Sequence, residues 1–140
     1  MAITSAIANS FKQEILVGTH NFTASSGHTF KIALIKANAN YSVVTGNSDE
    51  LANGSGYTTG GNTLTSVTPV LDGSTAVCDF ANTSWSSATF TTRGCIIYNT
   101  SASNKAVMVL DFGADYSVSN GTFTVEFPTA NASNAIIRIS

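Results

Sequence analysis

Residues 28–34 have the sequence HTFKIAL, and the alternation within this stretch decides the fold class. Phe30, Ile32 and Leu34 recur at every second position, so in an extended chain their side chains point to one face. A period of two is typical of a β-strand that buries one face. The stretch therefore predicts a half-buried strand.

The second half of the chain repeats this pattern. Strands are predicted over residues 63–70, 75–80, 88–98, 106–113, 122–127 and 135–140. Asp72-Gly73 and Asn120-Gly121 predict hairpin turns between strands, and Pro128 is expected to close a strand because it has no backbone N–H. Gly94 predicts a β-bulge or a close backbone approach. Short strands at this spacing favour a mainly all-β fold, either an antiparallel β-sandwich or a jelly-roll-like domain.

The beginning of the chain carries the helical signal. Ile3, Ile7, Phe11 and Ile15 are spaced four residues apart, which places them on one stripe of a helix. We therefore expect a short helical arm over residues 1–17. Two interpretations remain open: the arm packs on its own sheet, or it docks on a neighbouring subunit.

Residues 36–61 form a long polar stretch rich in Asn, Ser and Gly, which predicts a long loop. Loops of this length in a compact domain are usually functional, although a plain surface excursion is the simpler alternative. Tyr41 and Tyr57 lie in this loop and are expected to be exposed, as interface or carbohydrate-stacking residues. Trp85 stands among small polar residues and predicts either an interface anchor or a core plug.

The composition indicates a single domain over residues 1–140 with an unusually neutral surface. Charged residues make up only 10% of the chain, whereas Ser, Thr and Asn supply 50 of its 140 residues. Such a surface suits packing against other chains, because few charges must lose their hydration. The alternative is an extracellular β-domain with a hydroxyl-rich surface.

Several classes of partner and cofactor are disfavoured by the sequence. The net charge is −2 and the six Lys and Arg residues are scattered, so a nucleic-acid partner is not expected. No apolar run approaches the length of a membrane span, and no signal sequence is visible. Synthesis in the cytoplasm is the resulting expectation. No glycine-rich phosphate-binding motif occurs, and no cofactor is expected.

Catalytic and metal-binding patterns are not recognisable either. His20 and His28 do not combine with Cys78 and Cys95 at a zinc-site spacing, and neither histidine has a nucleophile at a known spacing. We therefore expect no metal and no enzymatic activity. A reducing compartment favours free, buried thiols for both cysteines over a disulfide.

The segment 81–99, ANTSWSSATFTTRGCIIYN, resembles a family of small virion structural proteins of tailed bacteriophages. The segments 104–107, 111–113, 127–130 and 135–139 carry the same resemblance, which extends over nearly the whole chain except residues 36–56. The resemblance implies a protein of the phage particle and brings no catalytic residues with it.

On this basis the leading expectation is a capsid decoration (cement) protein. It would be a homotrimer on the capsid surface of the virion and would bind the assembled major capsid protein. The expected contact residues are Ile3, Ile7, Phe11, Tyr41, Tyr57 and Trp85. The alternatives are a tail or head-fibre module that binds a host surface glycan, and a virion-associated hydrolase.

Overall fold

A computed structural model of the protein describes residues 5–36 and 49–140. In these ranges one α-helix, α1 (Asn9–Leu16), and a short 3₁₀ helix (Thr100–Ala102) accompany eight strands. The strands are β1 (Ala6–Ile7), β2 (Phe30–Lys36), β3 (Asn62–Thr63), β4 (Ser66–Asp72), β5 (Thr75–Phe80), β6 (Thr83–Asn99), β7 (Lys105–Val125) and β8 (Ile137–Ile139). They form two antiparallel sheets, a five-stranded sheet of order β1-β7-β6-β2-β3 and a three-stranded sheet of order β4-β5-β8. The prediction of an all-β fold with a short N-terminal helix is confirmed.

The main hydrophobic core joins the two sheets. Phe30, Ile32 and Leu34 of β2 belong to it, so the face that the alternation identified is buried as predicted. The prediction of a half-buried strand is wrong, because Ala33 and Ile35 on the opposite face are also fully buried. Cys78 and Phe80 of β5 contribute from the three-stranded sheet. Because side chains from both sheets share one cluster, the arrangement is sandwich-like.

β6 and β7 form one long hairpin that pairs from Asn99 and Lys105 to Thr83 and Val125. The predicted bulge at Gly94 is confirmed, because the register shifts between Thr92 and Gly94. The hairpin turn predicted at Asn120-Gly121 is wrong. Asn120 lies inside β7 with φ of 51°, next to a register shift, so its left-handed backbone serves a bulge in a continuous strand.

The predicted turn at Asp72-Gly73 is confirmed. Asp72 at the end of β4 pairs with Thr75 at the start of β5, and Gly73 supplies a φ of 62°. A positive φ is readily adopted by glycine, which has no Cβ. The tight connection fixes the register of the β4–β5 hairpin.

The N-terminal arm differs in part from its prediction. The helix begins at Asn9 rather than before Ile7, because Ala6 and Ile7 pair with Val109 and Met108 of β7. Ile7 therefore lies on a strand. Phe11 is buried in the core, so α1 packs on its own chain. Ile3 lies outside the described residues.

Part of the expected loop over residues 36–61 also packs closely on β2. The Leu51 N–H donates to the Leu34 carbonyl at 3.0 Å, and the Lys36 N–H donates to the Asp49 carbonyl at 2.8 Å. Residues 49–61 therefore run against the sheet rather than as a free excursion. Residues 37–48 lie outside the described ranges.

Candidate functional site

The structure places three of the predicted contact residues in the core. Phe11 and Tyr57 are each 2% exposed and Trp85 is 4% exposed. The expectation that Tyr57 is exposed is therefore wrong, and Trp85 is a core plug rather than an exposed anchor. Ile7 is half-buried against the core, and Tyr41 lies outside the described residues.

Hydrogen bonds of the Tyr57 hydroxyl explain why this loop residue is buried. The hydroxyl accepts from the Leu34 N–H at 3.0 Å and donates to Glu50 Oε1 at 2.6 Å. The Gly60 N–H donates to the same carboxylate oxygen at 2.6 Å. Burial, with the hydrogen bond to Glu50, raises the pKa of Tyr57 far above its ordinary value of 10.0. Tyr57 thus fastens residues 50–60 to β2.

Exposed apolar side chains that were not among the predicted contact residues lie on the three-stranded sheet. Leu71 is 74% exposed near the end of β4, and across the sheet it lies beside Ala76 and then Ile139. Directly opposed residues of antiparallel strands point to the same face. These three side chains therefore form an apolar row across the three-stranded sheet.

The row continues to the end of α1 through a cavity of about 180 Å³. Ile139 and Ala76 line this cavity on the sheet side, and Phe11 and Ile15 line it on the helix side. Leu16 and Val17, which follow Ile15, are exposed. We call the row formed by Leu71, half-buried Ala76 and Ile139, which borders this cavity, the apolar strip.

The size and chemistry of this cavity indicate what can enter it. Pockets for drug-sized ligands usually enclose about 300–1,000 Å³, so this cavity is better matched to an apolar side chain. Burial is the main cause that raises the pKa of the Cys78 thiol beside it to about 12. The thiol is therefore protonated at neutral pH and is a poor nucleophile.

The charged side chains nearest to the strip in sequence are already engaged. Asp72 accepts from the Ala132 N–H at 2.6 Å, and Arg138 donates to the Ala132 carbonyl at 3.0 Å. A partner that covers the strip would therefore displace mainly water from apolar carbon.

A second groove, of about 220 Å³, lies along β7. It is lined by Phe112, Tyr116, Phe123, Thr124 and Glu126. Tyr116 is 49% exposed and packs edge-on against Phe112 at a centroid distance of 6.2 Å. An exposed ring beside a hydroxyl and a carboxylate is suited to contact with polar ligands that have an apolar face.

Sequence reasoning missed this groove because β7 departs from simple alternation there. Asp111 pairs with Gly94, whereas Tyr116 pairs with Thr92, so β7 carries extra residues between the two pairs. Gly113, at φ of 85°, accommodates the distortion. The bulge at Gly94 was predictable, but its effect on the facing strand was not.

Two carboxylates on β7 have a cationic partner on β6. Arg93 bonds Asp115 at 3.1 Å and lies 3.9 Å from Asp111, so the cross-strand charges compensate one another. Cys78 and Cys95 are free and buried, as expected.

In residues 5–36 and 49–140, no group of three or more His, Cys, Asp or Glu side chains is placed to hold a metal ion. No helix in the same ranges is long and apolar enough to cross a bilayer.

The fold and the strip define an all-β domain of two antiparallel sheets with an exposed apolar surface. Comparison with known protein families, with curated proteins and with solved structures found no match to the chain.

Proposed function

We propose that the protein is a structural component of a tailed-bacteriophage particle, namely a decoration protein that binds the assembled major capsid protein and stabilises the head. In this proposal it acts as a homotrimer on the capsid surface, after synthesis in the host cytoplasm, and performs no catalysis. The apolar strip is the observation that carries the proposal. The sequence resemblance of residues 81–99 to phage virion proteins supplies the class of partner.

Energetics support binding through the strip. Full burial of one Leu or Ile side chain contributes about 1.5–3 kcal/mol, and Leu71 and Ile139 of the strip are both largely exposed in the isolated chain. Contiguous apolar surface of this kind marks interaction sites on soluble proteins. With so few charges, the chain loses little hydration on docking.

Binding to the assembled capsid lattice would stabilise that lattice by mass action. A protein that binds the assembled shell and not its free subunits stabilises the shell by the free energy of binding. A trimer would engage several capsid subunits at once, and its effective affinity would exceed that of one contact by avidity.

The test uses particles of the phage that encodes the chain, stripped of this protein, and the purified full-length chain. We expect the wild-type chain to rebind and to raise the temperature at which the heads rupture. The double variant Leu71→Asp, Ile139→Asp should fold normally, because both side chains are exposed, yet bind roughly 100-fold more weakly.

Tyr116→Ala serves as the matched control, because Tyr116 is half-exposed and lies outside the strip. It should bind stripped heads like the wild-type chain. Wild-type protein that does not bind stripped heads, or a double variant that binds as well as wild type, would contradict the proposal.

The β7 groove favours a second candidate function, a tail or head-fibre module that binds a host surface glycan. In this proposal the Tyr116 ring stacks on a sugar, and Thr124 and Glu126, which line the same groove, bind its hydroxyl groups. A glycan array probed with the full chain tests it. Tyr116→Ala should abolish binding, and the strip double variant should leave it unchanged, so the two candidates predict opposite outcomes for the same pair of variants.

A further inference from the structure

Asn99, at the end of β6, is fully buried between two histidines. Its Oδ1 accepts from the Ser101 N–H at 3.0 Å, which fixes the orientation of the amide. Its Nδ2 lies 3.0 Å from Nδ1 of His20 and 2.9 Å from Nδ1 of His28. An amide nitrogen only donates, so both Nδ1 atoms accept, and both rings carry a proton on Nε2.

The surroundings of His20 hold that ring in place. Its side chain is 0% exposed, and its Nε2 donates to Glu14 Oε1 at 2.9 Å. Lys105 Nζ lies 3.6 Å from the other oxygen of Glu14. The ring also packs on Phe11 at a centroid distance of 4.8 Å. His20 is thus fixed by a carboxylate on one side and by Asn99 on the other.

His28 has a different environment. It is half-buried and borders an open cavity of about 300 Å³, so water can reach the ring. The other residues that line this cavity are uncharged. The titratable group that faces His28 across Asn99 is His20, with Glu14 and Lys105 behind it. None of the other residues around the cavity therefore carries a charge that could compensate a protonated His28.

We propose that the hydrogen bond between Asn99 and His28 is an acid-sensitive latch that ties residues 19–29 to the end of β6. A proton taken up from solvent at Nδ1 of His28 would point at the Asn99 amide hydrogens, so the bond breaks. Histidine side chains exchange protons between about pH 5 and 8. The closed latch excludes this proton and the open latch binds it, so acid favours the open form.

Other contacts keep the opening local. The ring of Phe22 stacks on Phe30 at 4.3 Å, and the Thr29 N–H donates to Ser101 Oγ at 2.9 Å. Neither contact involves a titrating group. Acid should therefore loosen residues 19–29 without unfolding the sheets. This latch does not depend on the proposed function.

Two measurements on the full chain test the latch. The ¹⁵N chemical shifts of the histidine rings should show an unprotonated Nδ1 in His28 at pH 7.5. Backbone hydrogen exchange in residues 19–29, corrected for intrinsic rates, should be about fivefold faster at pH 5.5. That factor corresponds to roughly 1 kcal/mol for one hydrogen bond.

His28→Asn is the decisive variant, because a side-chain amide oxygen can accept in place of Nδ1 and does not titrate. In it the acceleration in acid should disappear, whereas His28→Phe, which cannot accept, should exchange fast at both pH values. If hydrogen exchange still accelerates in acid in His28→Asn, the acceleration comes from His20 and the proposal is overturned. A protonated Nδ1 in wild-type His28 at pH 7.5 would also overturn it, whether or not the variants fold.

Discussion

β2 and β4 have the same length and opposite surroundings. Each strand spans seven residues, and each contains several apolar side chains. In β2, all residues from Ile32 to Ile35 are buried, because β6 and β3 flank the strand and side chains cover both faces. In β4, every residue after Ser66 is exposed, because the strand forms an edge of the three-stranded sheet.

The comparison shows that position in the sheet, rather than composition, decides which apolar side chains remain available to a partner. Edge strands usually carry charges or other features that prevent pairing with another chain. β4 has Pro69, which has no N–H, and a register shift between Val67 and Val70. These features disfavour addition of another strand at this edge, yet Leu71 stays exposed for side-chain packing.

The difference in burial between β2 and β4 is tested most directly by the same substitution in both strands. Leu34→Ala in β2 should lower the free energy of unfolding by about 2–5 kcal/mol, because it leaves a cavity in the core. Leu71→Ala in β4 should change it by no more than about 0.5 kcal/mol. Urea denaturation of both variants measures the difference, and equal losses would show that β4 is not an exposed edge in the isolated chain.

The next largest effect on the free energy of unfolding should come from loss of the Tyr57 hydroxyl, which bonds residues 50–60 to β2. Tyr57→Phe leaves the Leu34 N–H without this partner and removes a donor to Glu50, so we expect a loss of about 1–3 kcal/mol in the free energy of unfolding. Tyr116→Phe, at a half-exposed ring, is the control and should cost close to nothing. Similar values for the two variants would argue that the Tyr57 hydrogen bonds do not stabilise the fold.

A third substitution tests a buried carboxylate in the three-stranded sheet. Asp79 on β5 is buried, and within the described residues its Oδ1 has no hydrogen-bond partner. Asp79→Asn removes a buried charge and should raise the free energy of unfolding by about 1 kcal/mol. Asp115→Asn, which breaks an exposed pair with Arg93, should lower it by about 0–1 kcal/mol. Destabilisation by Asp79→Asn would indicate that the carboxylate is compensated.

The smallest expected effect concerns alkaline pH. Burial raises the pKa of Cys78 from 9.0 to about 12 and also raises the pKa of Cys95. Above pH 9 the unfolded chain releases these protons and the folded chain retains them, so stability falls as pH rises through this window. Between pH 8 and 10, Cys78 alone should account for about 1 kcal/mol. Urea melts of Cys78→Ala should show a pH slope that is flatter by this amount, and an unchanged slope would contradict the assignment.

Local sequence patterns predicted the strands best where a pattern is compatible with only one kind of structure. The segment 75–80 coincides with β5, and the alternation at 28–34 identified the buried face of β2. Asn120-Gly121 failed because a positive φ serves a hairpin turn and a bulge equally well. The facing strand decides between them, and Ser87 on β6 also has a positive φ, 49°.

The candidate site was less predictable than the fold. Tyr57 and Trp85 look like exposed aromatic residues in a polar sequence, but their burial depends on side chains far away along the chain, such as Phe123 beside Trp85. Leu71 and Ile139 look like core residues, because apolar alternation does not reveal which strand forms an edge. The partners of both groups are set by long-range pairing, which no local pattern contains.

The pairing of β1 with β7 also constrains the order of events during translation. Ile7 pairs with Met108, about 100 residues later, and ribosomes add roughly 5–20 residues per second. For about 5–20 s, therefore, the nascent chain carries strand β1 without its partner and a Phe11 ring without its complete core. The N-terminal segment can adopt its final packing only after β7 has left the ribosome.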